Sequence, residues 1–314
     1  MPRFQPSWIL QSLGSDKVES LFFPYAPRAY SLLWFKRVGH ALLVHDPVAV
    51  GQVGLSAILA NDSETLAEAH RRLVTRSMTK PVALELNPFR SWLDNPFSRE
   101  QLDYLFFWRE AGFEIEPVSQ RCLILQGVNE VIHCLCGFSA GDEVRPMPPD
   151  ELMGYFLKQL QAKIFSRKGK IRIFDTVDRA LGNLEAFCAL VVPLTFGEKP
   201  VKGYLGEEFF QAWLNGDGDL ERARTEIDRL REPVTVSWKN GGGTRFEALV
   251  PLAQSCSHGV FAWSGEHLPP GFYEEHLVKP LTTAFHAVFP KSDLYVKGVD
   301  RQEEAYDFLL VLKR

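Results

Sequence analysis

Residues Gly137-Phe138-Ser139-Ala140-Gly141 have the spacing of a nucleophile elbow. In that motif a serine hydroxyl is lifted on a strained turn, with a strand before it and a helix directly after it. An apolar run precedes Gly137 and reads as the strand, and His258 and His267 follow in the order a hydrolase of this type needs. The segment after it, Asp142–Pro149 (DEVRPMPP), holds Pro146, Pro148 and Pro149. Prolines inside a helix remove a hydrogen bond and clash with the preceding turn. The required helix is therefore missing, Ser139 reads as a turn serine, and the catalytic residues stay unassigned.

Two further stretches suit anions. Trp238–Arg245 (WKNGGGTR) is the richest glycine loop, and successive amides in such a loop form an anion nest. Asn240-Gly241 between two apolar runs is also a hairpin signal, and hairpin is the preferred expectation. Lys163, Arg167, Lys168, Lys170 and Arg172, with Arg179 nearby, make the one dense basic patch. Such a patch suits phosphates of a small ligand or of nucleic acid, although most charge runs simply solvate a turn. The formal charge of −4 disfavours a wholly electrostatic nucleic-acid binder.

The histidines do not fall at metal-ligand spacing, so no metal site is assigned. His45-Asp46, directly after an apolar run, is a better pair for a cleft, because ends of strands often carry chemistry. The five cysteines cannot all pair within one chain, and their spacing is not that of a zinc knuckle. Reduced thiols in a cytoplasmic chain are the expectation. The start of the chain lacks the apolar core of a signal peptide, and no stretch is long and apolar enough to span a bilayer, so no membrane association is expected.

The elements that must position these residues read as follows. With 314 residues, 46% hydrophobic and 24% charged, the chain is long enough for a large core and has ordinary globular composition. Residues 1–30 form an aromatic arm with one short helix. SLLWF and HALLVHD, within residues 31–46, make a hairpin or a bent strand, and Asn61-Asp62-Ser63 caps a helix running to about Arg76. Pro81–Leu86 is a strand. Ser98 and Gln101 form a capping box, with Phe97 and Leu102 as its hydrophobic staple. Leu102, Leu105 and Phe106 form the inner face, and Gly112 is the left-handed stop. Phe113–Glu116 alternates as a strand, and Cys122–Leu125 and Glu130–Leu135 pair as a hairpin about Gly127.

Past Pro149 the pattern gives a helix at 150–166, a strand at 171–174, a short helix capped by Asp175, and a buried strand at 187–196. Two helices (207–214 and 219–231) and strands at 234–238, 245–252 and 260–263 follow. A helix at 272–289 is interrupted by Pro280, and strands at 294–299 and 306–312 close the chain. The expected fold is α+β, with mixed, largely antiparallel sheets covered by helices. Two subdomains are expected, 1–141 and 150–314, joined by a proline-rich connection at 142–149.

Residues 31–136 resemble the second half of GCN5-related N-acetyltransferase folds, on Phe107, Trp108, Gly112 and Phe113 in FFWREAGF. The resemblance implies a transferase-like enzyme with a phosphate-bearing donor. It also implies that Gly51, Gln52, Gly54 and Ser56 offer backbone amides to that donor. The favoured expectation is an intracellular non-catalytic binding or assembly subunit whose partner is unresolved, a protein or a small phosphate-bearing ligand, since aromatic residues are 12% of the chain and such side chains anchor interfaces. Neither reading fixes a cofactor.

Overall fold

The computed structural model describes residues 6–13, 18–27, 29–38, 40–61, 66, 71, 73, 83–138, 147–164, 170–184, 187–197, 205–237, 246–265, 270–300 and 305–314. In chain order the elements used below begin with α1 (Pro6–Leu13), β1 (Ser20–Phe23), α2 (Ala29–Val38), β2 (Ala41–Val44) and α3 (Ala49–Leu59). Then come α4 (Arg99–Phe113), α5 (Val118–Phe138), α6 (Pro149–Lys163), β3 (Ile171–Ile173), α7 (Val177–Leu181), β4 (Cys188–Pro193) and β5 (Thr195–Gly197). The last are α8 (Leu205–Asn215), α9 (Leu220–Arg231), β6 (Thr235–Ser237), β7 (His258–Gly265), β8 (Lys291–Asp300) and β9 (Ala305–Lys313). It is an α+β protein built on a seven-stranded mixed sheet.

The chain divides into two compact units. The sheet unit comprises residues 1–47, 168–201 and 230–314, and the helical unit comprises 48–167 and 202–229. Helices α5 and α6, which flank residues 142–149, belong to the same unit. Most of that connection lies outside the described residues.

The sheet has the order β3-β2-β1-β4-β7-β9-β8. The first five of these strands are parallel, β9 is antiparallel to both neighbours, and β8 therefore runs with the parallel set. The expectation of largely antiparallel pairing is corrected. The sequence sign is the apolar continuity of Leu21-Phe22-Phe23 and of Ala189–Val192, all buried, because strands of a parallel sheet are covered on both faces. Residues 18–23 are thus no peripheral arm: β1 is hydrogen-bonded on both sides, to β2 and to β4.

One core cluster contains Phe22, Leu43, Leu190, Phe261, Trp263, Phe308 and Leu310 from the strands, with Tyr273, Leu277, Leu281 and Phe285 from the segment between β7 and β8. Trp263 stacks on Phe308 at 5.2 Å. The sequence predicts one helix interrupted by Pro280 in that segment. Its α-helical ends, Pro270–Tyr273 and Lys279–Phe285, flank a π-helical stretch, Glu274–Val278, just before the proline. Phe23, which alternation puts on the opposite side of β1 from Phe22, meets Phe35 of α2 at 5.9 Å.

Several expected strands are helices. SLLWF lies in α2, where Leu32, Phe35 and Lys36 are buried and Trp34 is exposed, a helical and not an alternating pattern. Leu84–Leu86 is one 3-10 turn, not a strand. Phe246–Ala248 and Val250–Ala253 are short helical turns where a strand at 245–252 was expected. The expected hairpin at 122–135 is the continuous helix α5. Gly127 has a packing role there: a Cβ on it would come 2.9 Å from Met153 Sδ and 3.0 Å from Leu157 of α6. Its small size lets the two helices approach, and no turn is needed. Residues 83–138, within the stretch that resembles the acetyltransferases, are helices and turns and contribute no strand to the sheet.

Helix α4 keeps its expected start. Ser98 Oγ accepts from the Gln101 amide, and the Gln101 side chain accepts from the Ser98 amide. It does not stop at Gly112; the helix runs to Phe113 and its C-cap is Glu114. Its buried face carries Leu102, Leu105 and Trp108, while Phe106 is half-exposed, one position off the inner stripe. Two indoles tie α4 and its preceding loop to the segment around α8: Trp213 Nε1 donates to the Leu105 carbonyl at 2.8 Å and Trp92 Nε1 to the Gly218 carbonyl at 2.9 Å. Arg109 Nε donates to the Trp213 carbonyl at 2.9 Å, which satisfies an orphan acceptor at the end of α8. Gly218 has φ +67 and lies so close to Pro88 that a Cβ would meet its carbonyl oxygen at 2.6 Å. Any other residue there is strained twice over.

These contacts set an order of stability effects. Leu105→Ala is expected to cost about 2–5 kcal/mol through lost burial and a cavity. Ser98→Ala should cost about 1 kcal/mol, the usual loss for one cap. Phe106→Ala should fall below Leu105→Ala because its side chain is only partly buried. Urea midpoints followed by far-UV circular dichroism check the ranking; Phe106→Ala as the costliest of the three contradicts it.

Candidate functional site

In an open, mostly parallel sheet, ligands bind beyond the carboxyl ends of the strands, where the strand order reverses. Here β1 leads outward to β2 and β3 on one side, and the chain then returns to place β4 on the other side of β1. The reversal lies between β1 and β4. The residues at this edge are Pro24 and Tyr25 after β1, His45 and Asp46 after β2, Phe174 and Asp175 after β3, and Leu194 after β4.

Backbone bonds hold the edge together. His45 N donates to the Phe23 carbonyl at 2.8 Å, and Ala26 N donates to the His45 carbonyl at 2.9 Å. Phe174 N donates to the Val44 carbonyl at 2.9 Å, and Leu194 N to the Ala262 carbonyl at 2.7 Å. The connection after β1 is thereby fixed against β2 without any glycine in Pro24–Arg28.

His45 and Asp46 are both buried, at 6% and 7% exposure. His45 Nδ1 lies 3.0 Å from the Phe174 carbonyl oxygen. A carbonyl only accepts, so Nδ1 carries the proton and the ring is held in that tautomer. Burial pushes the imidazole pKa below its ordinary value, outweighing the Phe174 carbonyl and the negative Asp175, which both favour the charged ring. Burial also raises the Tyr25 phenol, keeping it a neutral donor. Further along the same edge Ser264 Oγ, in β7, donates to Asp307 Oδ1 of β9, a buried carboxylate.

Of the residues expected to carry function, His45 and Asp46 fall at this edge. Gly51, Gln52, Gly54 and Ser56 lie inside α3. The Gln52 amide donates to the Val48 carbonyl at 3.1 Å, and the amides after it run along the helix in the same manner. These four residues form no open loop. Lys170 and Arg172 are exposed on and before β3, and Lys163 is in the last turn of α6. Arg167 and Lys168 lie outside the described residues, as do Ser139 and the glycine loop 238–245. The residue run before Ser139 is helix α5 and not the strand an elbow requires.

Tyr25, Asp175 and the Ser264–Asp307 pair were missed. The cap expected at Asp175 is instead Thr176, whose side chain accepts from the Arg179 amide at the start of α7. None of the five cysteines is in a disulfide. Burial pushes the Cys136 thiol up to about 12, and the Cys256 thiol is raised by its hydrogen bond with Cys188 and by burial. Such thiols stay protonated at neutral pH and are poor nucleophiles. Among the described residues no group of three His, Cys, Asp or Glu converges to hold a metal ion, and no helix is long and apolar enough to cross a membrane.

No protein-family model matches the chain, and no curated protein is significantly similar to it.

The burial of His45 has a pH signature. A histidine whose pKa is lowered on folding contributes stability that is complete above its unfolded pKa, about 6.5, and is lost as the pH falls below it. His40, also lowered by burial, adds to the same trend. Melting temperature should therefore fall on acidification from neutral pH, and more steeply in the native protein than in His45→Gln. Equal slopes for the two proteins would remove His45 from the account.

Proposed function

We propose that the sheet unit binds a nucleoside-bearing donor at the carboxyl edge of β1, β2 and β4, as the binding half of a transferase-like function. The observation that carries this is the reversal of strand order between β1 and β4 with a buried carboxylate, Asp46, at the carboxyl end of β2. In doubly wound sheets an acidic residue about twenty positions beyond the first strand accepts hydrogen bonds from a ribose. Asp46 stands in that relation to Pro24, and would hold the sugar hydroxyls.

The turn after β1 narrows the ligand. Pyrophosphate recognition uses glycines that bring amides close to the phosphates. Pro24–Arg28 has two prolines and no glycine. Prolines lack the N–H that an anion would use. A donor recognised through its ribose and base fits this turn better than a dinucleotide. The sheet order, with antiparallel β9 inserted between the fifth parallel strand and β8, is also that of S-adenosylmethionine-dependent methyltransferases, an analogy of fold alone. Such a donor, when bound, supplies an electrophilic methyl group. Tyr25 and His45, neutral and fixed, would line the polar side of its site. The proposal concerns binding and assigns no residue to the transfer step.

Thermal denaturation with S-adenosylmethionine, S-adenosylhomocysteine, NAD, ATP and coenzyme A tests it. An adenosyl ligand at a hundred times its dissociation constant should add about 2.7 kcal/mol of stability. Asp46→Ala should weaken that ligand by about tenfold or more, the loss of charge-assisted bonds to a sugar. No shift with either adenosyl compound, or equal binding by Asp46→Ala, overturns the proposal. A shift with coenzyme A alone would favour a phosphate-bearing donor instead.

A further inference from the structure

Strand β8 ends the sheet. It is ten residues long, pairs with β9 on one side, and among the described residues has no strand on the other. A long exposed edge is a template for pairing with another strand. The face it offers is also unusual. Residues facing one another across an antiparallel pair lie on the same side of the sheet. Leu294 faces Leu310 and Val296 faces Phe308, and both partners belong to the core cluster. The apolar row of that core thus continues onto β8, where Leu294 and Val296 are 38% and 45% exposed. The row runs off the edge of the sheet instead of ending in polar side chains.

The sequence of β8, KSDLYVKGVD, says what would cover it. In an antiparallel pairing of two copies about Tyr295, each residue before the centre faces the residue equally far after it. Leu294 then faces Val296 of the second copy on the core side. Asp293 faces Lys297 on the other side, twice by symmetry. Both the apolar and the charged positions are complementary to themselves under a two-fold axis, as an isologous interface requires. Asp293 is 56% exposed and its 3.5 Å contact with Lys313 leaves it on the surface.

We propose that β8 is a dimerisation edge, at which two copies of this chain pair antiparallel about Tyr295 to make one continuous sheet. The pairing covers the β8 edge of each copy and prolongs the apolar row across the axis. Its occupant is a second copy because the charge pattern matches itself. This inference does not rest on the donor-binding proposal, and neither fails with the other.

Sedimentation equilibrium of the full chain over about a hundredfold concentration range should show a monomer–dimer equilibrium. Asp293→Lys should weaken association by about tenfold, since it turns two opposite-charge pairs into two like-charge pairs. The double variant Asp293→Lys/Lys297→Asp should recover it. Far-UV circular dichroism confirms that each variant is folded. A second test needs no charge change: under mild oxidation Tyr295→Cys should form a disulfide-linked dimer, because the residue at the axis meets its own copy. Ser292→Cys, three residues off the axis, should not. A protein that stays monomeric throughout, association unaffected by Asp293→Lys, or equal cross-linking at both positions would overturn the proposal.

Discussion

The sheet unit depends on the pairing of β1 on both sides. Four residues, Ser20 to Phe23, are buried, hydrogen-bonded to β2 and to β4, and flanked by side chains on each face. A strand in that position must be apolar throughout, and its neighbours must run parallel because helical connections separate them in the chain. Once β1 is central, the next residues have no choice of place. Pro24 and Tyr25 emerge where the strand order turns, and His45 and Asp46 emerge beside them. The chemistry of the edge follows from the topology and not from a local motif.

The helical unit has its own constraint, which is close approach. Gly127 lets α5 meet α6, and Gly218 lets its loop meet Pro88. Buried indoles then bond to backbone carbonyls of neighbouring segments. An indole N–H that reaches a carbonyl inside a core gains a bond that water cannot compete for, and its ring supplies the packing as well. The rings of Phe89, Trp92, Phe97 and Phe209 pack against one another at centroid distances from 4.8 to 5.7 Å.

Local chemistry was legible in the sequence where it was self-contained. The capping box at Ser98 and Gln101, helices α6, α8 and α9, and the closing strands β8 and β9 all formed as expected, while the run expected as one strand over 187–196 is divided between β4 and β5, which lie in different sheets. Errors arose where a short apolar run fits either helix or strand. SLLWF and CLIL are such runs, and only the burial of Leu32, Phe35 and Lys36 at helical spacing separates the two readings in the first. Glycine misled twice, since Gly112 and Gly127 lie within helices and not at stops or turns. His45-Asp46 was legible as a candidate pair because it directly follows an apolar run. Tyr25 and Asp175 were not, because their place depends on which strands are neighbours, a long-range fact with no local sign.

We propose that the carboxyl edge of β1, β2 and β4 receives an adenosyl group. Photolabelling the full chain with an azido-adenosyl probe and mapping the modified peptides reads this most directly. The account predicts labelling within 24–27 or 45–47, lost when excess S-adenosylhomocysteine competes. Labelling confined to the helical unit, or labelling that excess ligand does not displace, would contradict it.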